Sequence, residues 1–213
     1  MRMSLLTLCL LSALIPVRAE QALNVYFIDV EGGQSTLFVS PSGQSMLVDT
    51  GWTGNNGRDA SRIMEVAKLA GIHQIDDLGD LTWNKELDLV CPNNKIGTVD
   101  VYLSTHHGMN LSNCPAIVHA LHPWVAVMNN GATKGGSPEA WQTIHTSPGL
   151  RDIWQLHYAE AGGKSHNTVE PYIANVGSES DGHYIKLTAF PDGTFTVINS
   201  RNGKSKTYKG HPK

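Results

Sequence analysis

A single mixed α/β domain, of the α+β kind, is predicted by three observations. The residues after position 20 fall into three short apolar-rich runs joined by tight turns; the middle of the chain intersperses helical and strand-like segments; the last thirty or so residues contain a strand–turn–strand hairpin. A length of 213 residues suits one domain of ordinary size. A 40% apolar content with 16% charged residues is the balance of a soluble globular chain and argues against disorder.

The elements follow in order. Leu23-Asn24-Val25-Tyr26-Phe27-Ile28-Asp29-Val30 reads as a strand, Glu31-Gly32-Gly33-Gln34 as a glycine turn, and Ser35-Thr36-Leu37-Phe38-Val39 as a second strand. Ser42-Gly43 turns the chain again into Gln44-Ser45-Met46-Leu47-Val48, so the start of the domain is an antiparallel meander that ends at Asp49-Thr50-Gly51. Apolar residues recur at helical spacing from Arg58 to Ala70, and Gly71 stops that helix. His73-Gln74-Ile75-Asp76 begins like a strand but runs at once into Asp77-Leu78-Gly79-Asp80, while Lys85 to Val90 reads as a short helical turn. Val99 to Ser104 is a strand that delivers Thr105-His106-His107-Gly108. A helix over Pro115–Leu121, a strand over Trp124–Met128, and a helix capped at Ser137 with Pro138 in its first turn come next. Tyr184–Phe190 and Thr194–Ile198 flank the Pro191-Asp192-Gly193 turn.

Met1–Ala19 has a basic start, a short apolar run and a small residue before Glu20, the pattern of a cleaved signal peptide. The apolar run falls short of the roughly 20 residues that a membrane-spanning helix needs. The expected product is therefore a periplasmic or secreted domain over residues 20–213 with no membrane association. Once Cys9 has left with the signal, Cys91 and Cys114 remain, an even count in an oxidising compartment, and a disulfide between them is expected. In the chain-entropy model such a bridge contributes about 3 kcal/mol. A net charge of −3 supplies no basic field for a polyanion, which argues against nucleic acid as a partner. Lys204, Lys206, Lys209 and Lys213, with Arg201, read as a solvated tail.

Few groups are placed to carry chemistry. Asp80 follows a glycine in a short loop, where a carboxylate can reach a bound ion. His106 and His107 stand at a strand end before Gly108, so alternation sends one imidazole to each side and only one is expected to face a site. Asp49 suits a supporting carboxylate that accepts backbone N–H bonds. The other eight of the ten histidines show no metal spacing. Neither a Gly-x-Ser-x-Gly elbow nor a phosphate or dinucleotide loop is present.

Four motifs in order, Phe27-Ile28-Asp29-Val30-Glu31-Gly32-Gly33-Gln34-Ser35-Thr36, Leu47-Val48-Asp49-Thr50-Gly51, Asp77-Leu78-Gly79-Asp80 and Ser104-Thr105-His106-His107-Gly108, resemble the metallo-β-lactamase superfamily. The nearest branch includes the hydrolase domain of competence-type DNA-uptake channel proteins. The resemblance implies a four-layer αββα sandwich, a site for two zinc ions between the sheets, and hydrolysis of a small-molecule or phosphodiester substrate by metal-bound hydroxide. It makes Asp80 the carboxylate that bridges the metals, His106 or His107 the late ligand of the second metal, and Asp49 a supporting residue. The family's His-x-His-x-Asp-His cluster has no counterpart, so the sandwich is expected to be incomplete, internally deleted between Asp76 and Asp77, with a sheet edge left exposed. Where the competence branch tends to show Gly-His-Pro, this chain has Gly136-Ser137-Pro138. Asp80 and one histidine are too few ligands for tight zinc binding, so the hydrolase is expected to be impaired; the alternative is a noncatalytic binding or interaction module on the same scaffold.

Overall fold

A computed structural model describes residues 22–31, 35–49, 55–72, 76–78, 82–177 and 182–212. The expected signal peptide, Gly32-Gly33-Gln34, Thr50-Gly51, His73-Gln74-Ile75 and Gly79-Asp80 lie outside them. No helix among the described residues is long and apolar enough to cross a membrane.

The mixed α/β class is borne out, with strands distributed between two sheets. Strands β1 (Leu23–Phe27), β2 (Thr36–Val39) and β3 (Ser45–Val48) form the antiparallel meander, and helix α1 (Arg58–Leu69) follows. A three-residue strand, β4 (Asp76–Leu78), pairs in parallel with β3, Leu47 opposite Asp77. The chain thus crosses the expected deletion point as a strand rather than a loop. After α2 (Trp83–Val90) come β5 (Val101–Leu103), α3 (Pro115–Leu121), β6 (Val125–Met128), α4 (Pro138–His145), β7 (Asp152–His157) and β8 (Ile173–Asn175). Strands β5 to β8 make an all-parallel sheet in chain order, with α3 and α4 as the crossovers from β5 to β6 and from β6 to β7. Finally β9 (Ile185–Ala189), β10 (Thr194–Asn199) and β11 (Ser205–Lys209) return to the first sheet, whose order is β11-β10-β9-β1-β2-β3-β4.

Side-chain alternation decides the layering. In β1, Val25 and Phe27 face one way and Tyr26 the other. The first pair meets Val125, Val127, Trp154 and Leu156 of the parallel sheet, together with Leu187, Phe195, Val197 and Tyr208, in a core between the sheets. Tyr26, Leu37 and Leu47 pack instead against Ile63, Val66 and Ala67, which share one face of α1. On the far side of the parallel sheet, Tyr102, Ala126, Met128 and Ile153 pack against Val90, Ile117, Val118, Leu121, Trp141 and Ile144 of α2, α3 and α4. Ser137 caps α4 by accepting the Ala140 amide, as its position before Pro138 predicts.

Two expectations need correction. The lysine-rich C-terminus is not a solvated tail. It forms β11, whose alternation buries Tyr208 against Phe195, ring centroids 5.1 Å apart, and leaves Lys206 to pair with Asp152 at 2.6 Å. Edge lysines of this kind discourage further strand addition. The disulfide is not formed either: Cys91 is an exposed free thiol and Cys114 a buried one. The Cys114 amide bonds the Glu86 carboxylate, whereas Cys91 stands five residues beyond Glu86, about 7 Å further by helical rise. Burial raises the pKa of the Cys114 thiol above its ordinary value.

Candidate functional site

The C-terminal ends of parallel strands gather in one place, and four polar elements meet there. The first is the histidine turn. β5 ends at Leu103, and Thr105–Gly108 then forms a tight helical turn instead of prolonging the strand. His106 and His107 both adopt left-handed backbone, φ +50° and +58°. Such conformations cost roughly 1–3 kcal/mol each for residues with a Cβ, and they persist only where the surroundings enforce them. Strand alternation therefore does not set the ring directions. His107 is 3% exposed, His106 is half-buried with Nδ1 3.4 Å from the Ser112 hydroxyl, and the ring centroids are 5.9 Å apart.

The second element is the Gly135-Gly136-Ser137 loop. The Gly136 amide donates to the His107 carbonyl and the Ser137 amide to the Gly108 carbonyl, both at 2.9 Å. Gly135, at φ +72°, lies so close that an added Cβ would stand 2.1 Å from the His107 carbonyl oxygen. Gly135→Ala is expected to destabilise the protein by more than about 1 kcal/mol, because it combines a forbidden contact with a strained φ. Urea unfolding of the variant measures this, and an unchanged midpoint would refute the close docking of loop on turn.

The third element follows β6. Asn129 and Asn130 are fully buried, and Asn130 donates to the His157 carbonyl at 2.9 Å. The fourth sits where the two sheets meet. Asp29, just beyond β1, is 0% exposed; it accepts from His157 Nε2 at 2.6 Å and from the Glu31 amide at 2.8 Å, and it pairs with Arg62 Nη1 at 3.1 Å. Helix α1 also presents Arg58, which bonds Glu31 and Asp59 at 2.7 Å each. The hydrogen bond to Asp59 raises the Arg58 pKa above its ordinary value. Among the described residues, His157 Nδ1, Asn129 Nδ2 and Asn130 Oδ1 are buried on this rim with hydrogen-bonding capacity that no other described residue uses.

Of the residues expected from sequence, His106 and His107 lie on this rim. Asp49 ends β3 in left-handed backbone, φ +61°, and is half-buried. Asp80 lies outside the described residues. A catalytic zinc takes three protein ligands, and among the described residues no cluster of three or more His, Cys, Asp or Glu side chains is placed to hold a metal. Asp29, Arg62 and His157 were not expected; Asp29 hides in a strand pattern, and its partner stands 128 residues away.

No family model, curated protein or solved structure matches the chain.

Proposed function

We propose that this chain is an exported protein of the metallo-β-lactamase fold, descended from a metal-dependent hydrolase of phosphodiesters or esters and impaired in its own catalysis. The observation that supports this best is the position of the His106–His107 turn. It stands at the carboxyl end of a parallel strand, beside the junction of two stacked sheets that are each covered by helices. Ligands of parallel sheets bind at such ends. The four ordered motifs point to the same family, with Asp80 and one of the two histidines as metal ligands and Asp49 in support.

One feature favours the noncatalytic alternative, a binding or interaction module. Asp29, an ionisable group at the sheet junction, is engaged by both His157 and Arg62. The Asp29–Arg62 ion pair holds structure together, which leaves His157, oriented by Asp29 through Nε2, as the one group of the three with a ring nitrogen to offer. A β-lactam substrate is not proposed, since fold alone does not fix chemistry.

Zinc content and turnover test the reading together. The purified protein is expected to hold well under one zinc per chain and to hydrolyse bis(p-nitrophenyl) phosphate and p-nitrophenyl acetate at background rates. About two zinc ions per chain with turnover above background would overturn the impairment, since a two-metal site needs a full ligand set.

A further inference from the structure

Glu86 is a carboxylate with no exposure at all, on the short helix α2. Its carboxylate bonds the segment that carries the histidines. Its Oε1 accepts the Asn113 amide at 2.8 Å and the Thr105 hydroxyl, and its Oε2 accepts the Cys114 amide at 2.9 Å. Asn113 extends the network: its side-chain amide donates to the Thr105 and Met109 carbonyls at 3.0 and 3.2 Å, and its Oδ1 accepts from the Tyr102 hydroxyl at 2.9 Å. One buried charge thus fastens both the start and the finish of the loop from Thr105 to Cys114. Three non-glycine residues of that loop, His106, His107 and Asn113, hold left-handed backbone.

A buried carboxylate is costly unless hydrogen-bonded, and an apolar residue would pack α2 against α3 without that cost. What an apolar residue cannot do is accept two amides and a hydroxyl from one loop. We infer that Glu86 is the positioning residue of the His106–His107 turn: its carboxylate enforces the strained backbone that presents the two imidazoles. The inference rests on the reading of that turn as the functional site.

Glu86→Gln preserves shape but replaces one accepting oxygen with an NH2 that faces an amide donor. The variant is expected to keep its far-ultraviolet circular dichroism. Amide exchange at Asn113 and Cys114 is expected to rise by about tenfold or more, while the amides of β6 and β7 keep their protection. The ring-proton resonances of His106 and His107 should shift, whereas those of His145 and His166, which pack on Trp141, should not. In a titration with zinc chloride, affinity should drop by about tenfold or more relative to the unaltered protein. Unchanged exchange and ring resonances would overturn the inference, and so would unchanged zinc affinity in a variant whose loop has loosened. If the unaltered protein takes up no zinc, as the proposed impairment allows, the exchange and ring effects alone decide whether Glu86 positions the turn; two zinc ions per chain with turnover would overturn the impairment and leave the Glu86 result standing. Should Glu86→Gln not fold, Thr105→Val removes a single donor to the carboxylate; it must shift the same two ring resonances, and their constancy would overturn the inference.

Discussion

Trp154→Ala is expected to lower the unfolding free energy by about 3–5 kcal/mol, the range for truncating a large aromatic side chain in a core. Trp154 has no exposure and stands in the parallel sheet where it faces the other sheet. Its ring lies 4.6 Å from that of Tyr172, and its Nε1 donates to the Tyr208 hydroxyl at 3.0 Å. That hydroxyl donates in turn to Asp152 at 2.9 Å, beside Lys206 at 2.6 Å. Alanine therefore leaves a cavity between the sheets and also deprives the Tyr208 oxygen of a donor. Trp154→Phe separates the two effects: it keeps most of the volume, and the lost hydrogen bond should cost about 1–2 kcal/mol. Urea unfolding followed by circular dichroism measures both, and a loss below about 1 kcal/mol for alanine would contradict a shared inter-sheet core.

Asp29→Ala should have an effect of similar size, about 3–5 kcal/mol, because it removes the anionic partner of two groups that the fold has taken out of water. His157 is 1% exposed in its side chain and Arg62 17%. The sign follows from the asymmetry of buried pairs. The intact pair gains little over an apolar substitute, but without Asp29 the buried His157 ring loses its acceptor, and Arg62, still held by Glu31 at 3.2 Å, loses one of its two carboxylates. Asp29→Asn should cost less, since the amide oxygen still accepts one hydrogen bond. A double-mutant cycle of Asp29→Ala with His157→Ala tests the coupling: the effects should be clearly non-additive, and simple additivity would show that the 2.6 Å contact carries no energy.

Some of the parts of the fold that were legible in the sequence are those whose burial is one-sided. α1, α4 and the β9–β10 hairpin each show a clean period, because each has one face on a core and another nearer water, while β1 and β2, covered on both faces, were legible as apolar runs bounded by turns. β6 was likewise legible as an unbroken apolar run buried on both faces. β7 is buried on both faces as well, yet it includes Gln155 and His157, which interrupt the apolar run without facing solvent. Lysine content masked β11, and β4 and β8 are three residues each, too short for a period to register.

At the candidate site, His106 and His107 were visible because they sit together at a strand end. Glu86, Asp29, Arg62 and His157 were not. Each looks ordinary among its neighbours in the chain, and only its long-range partner gives it meaning: Glu86 bonds residues 19 to 28 positions away, and Asp29 bonds one 128 away. Local spacing predicts where a loop falls but carries no information about which distant carboxylate will hold it.

The place of Tyr208 gives β11 an unusual weight. From 54 residues beyond Trp154, β11 supplies the phenol that roofs Phe195 and accepts the indole hydrogen of Trp154. The two sheets therefore cannot be sealed against each other until β11 has been laid down. Proteolytic clipping ahead of Ser205 would not trim a loose end; it would unroof the interior.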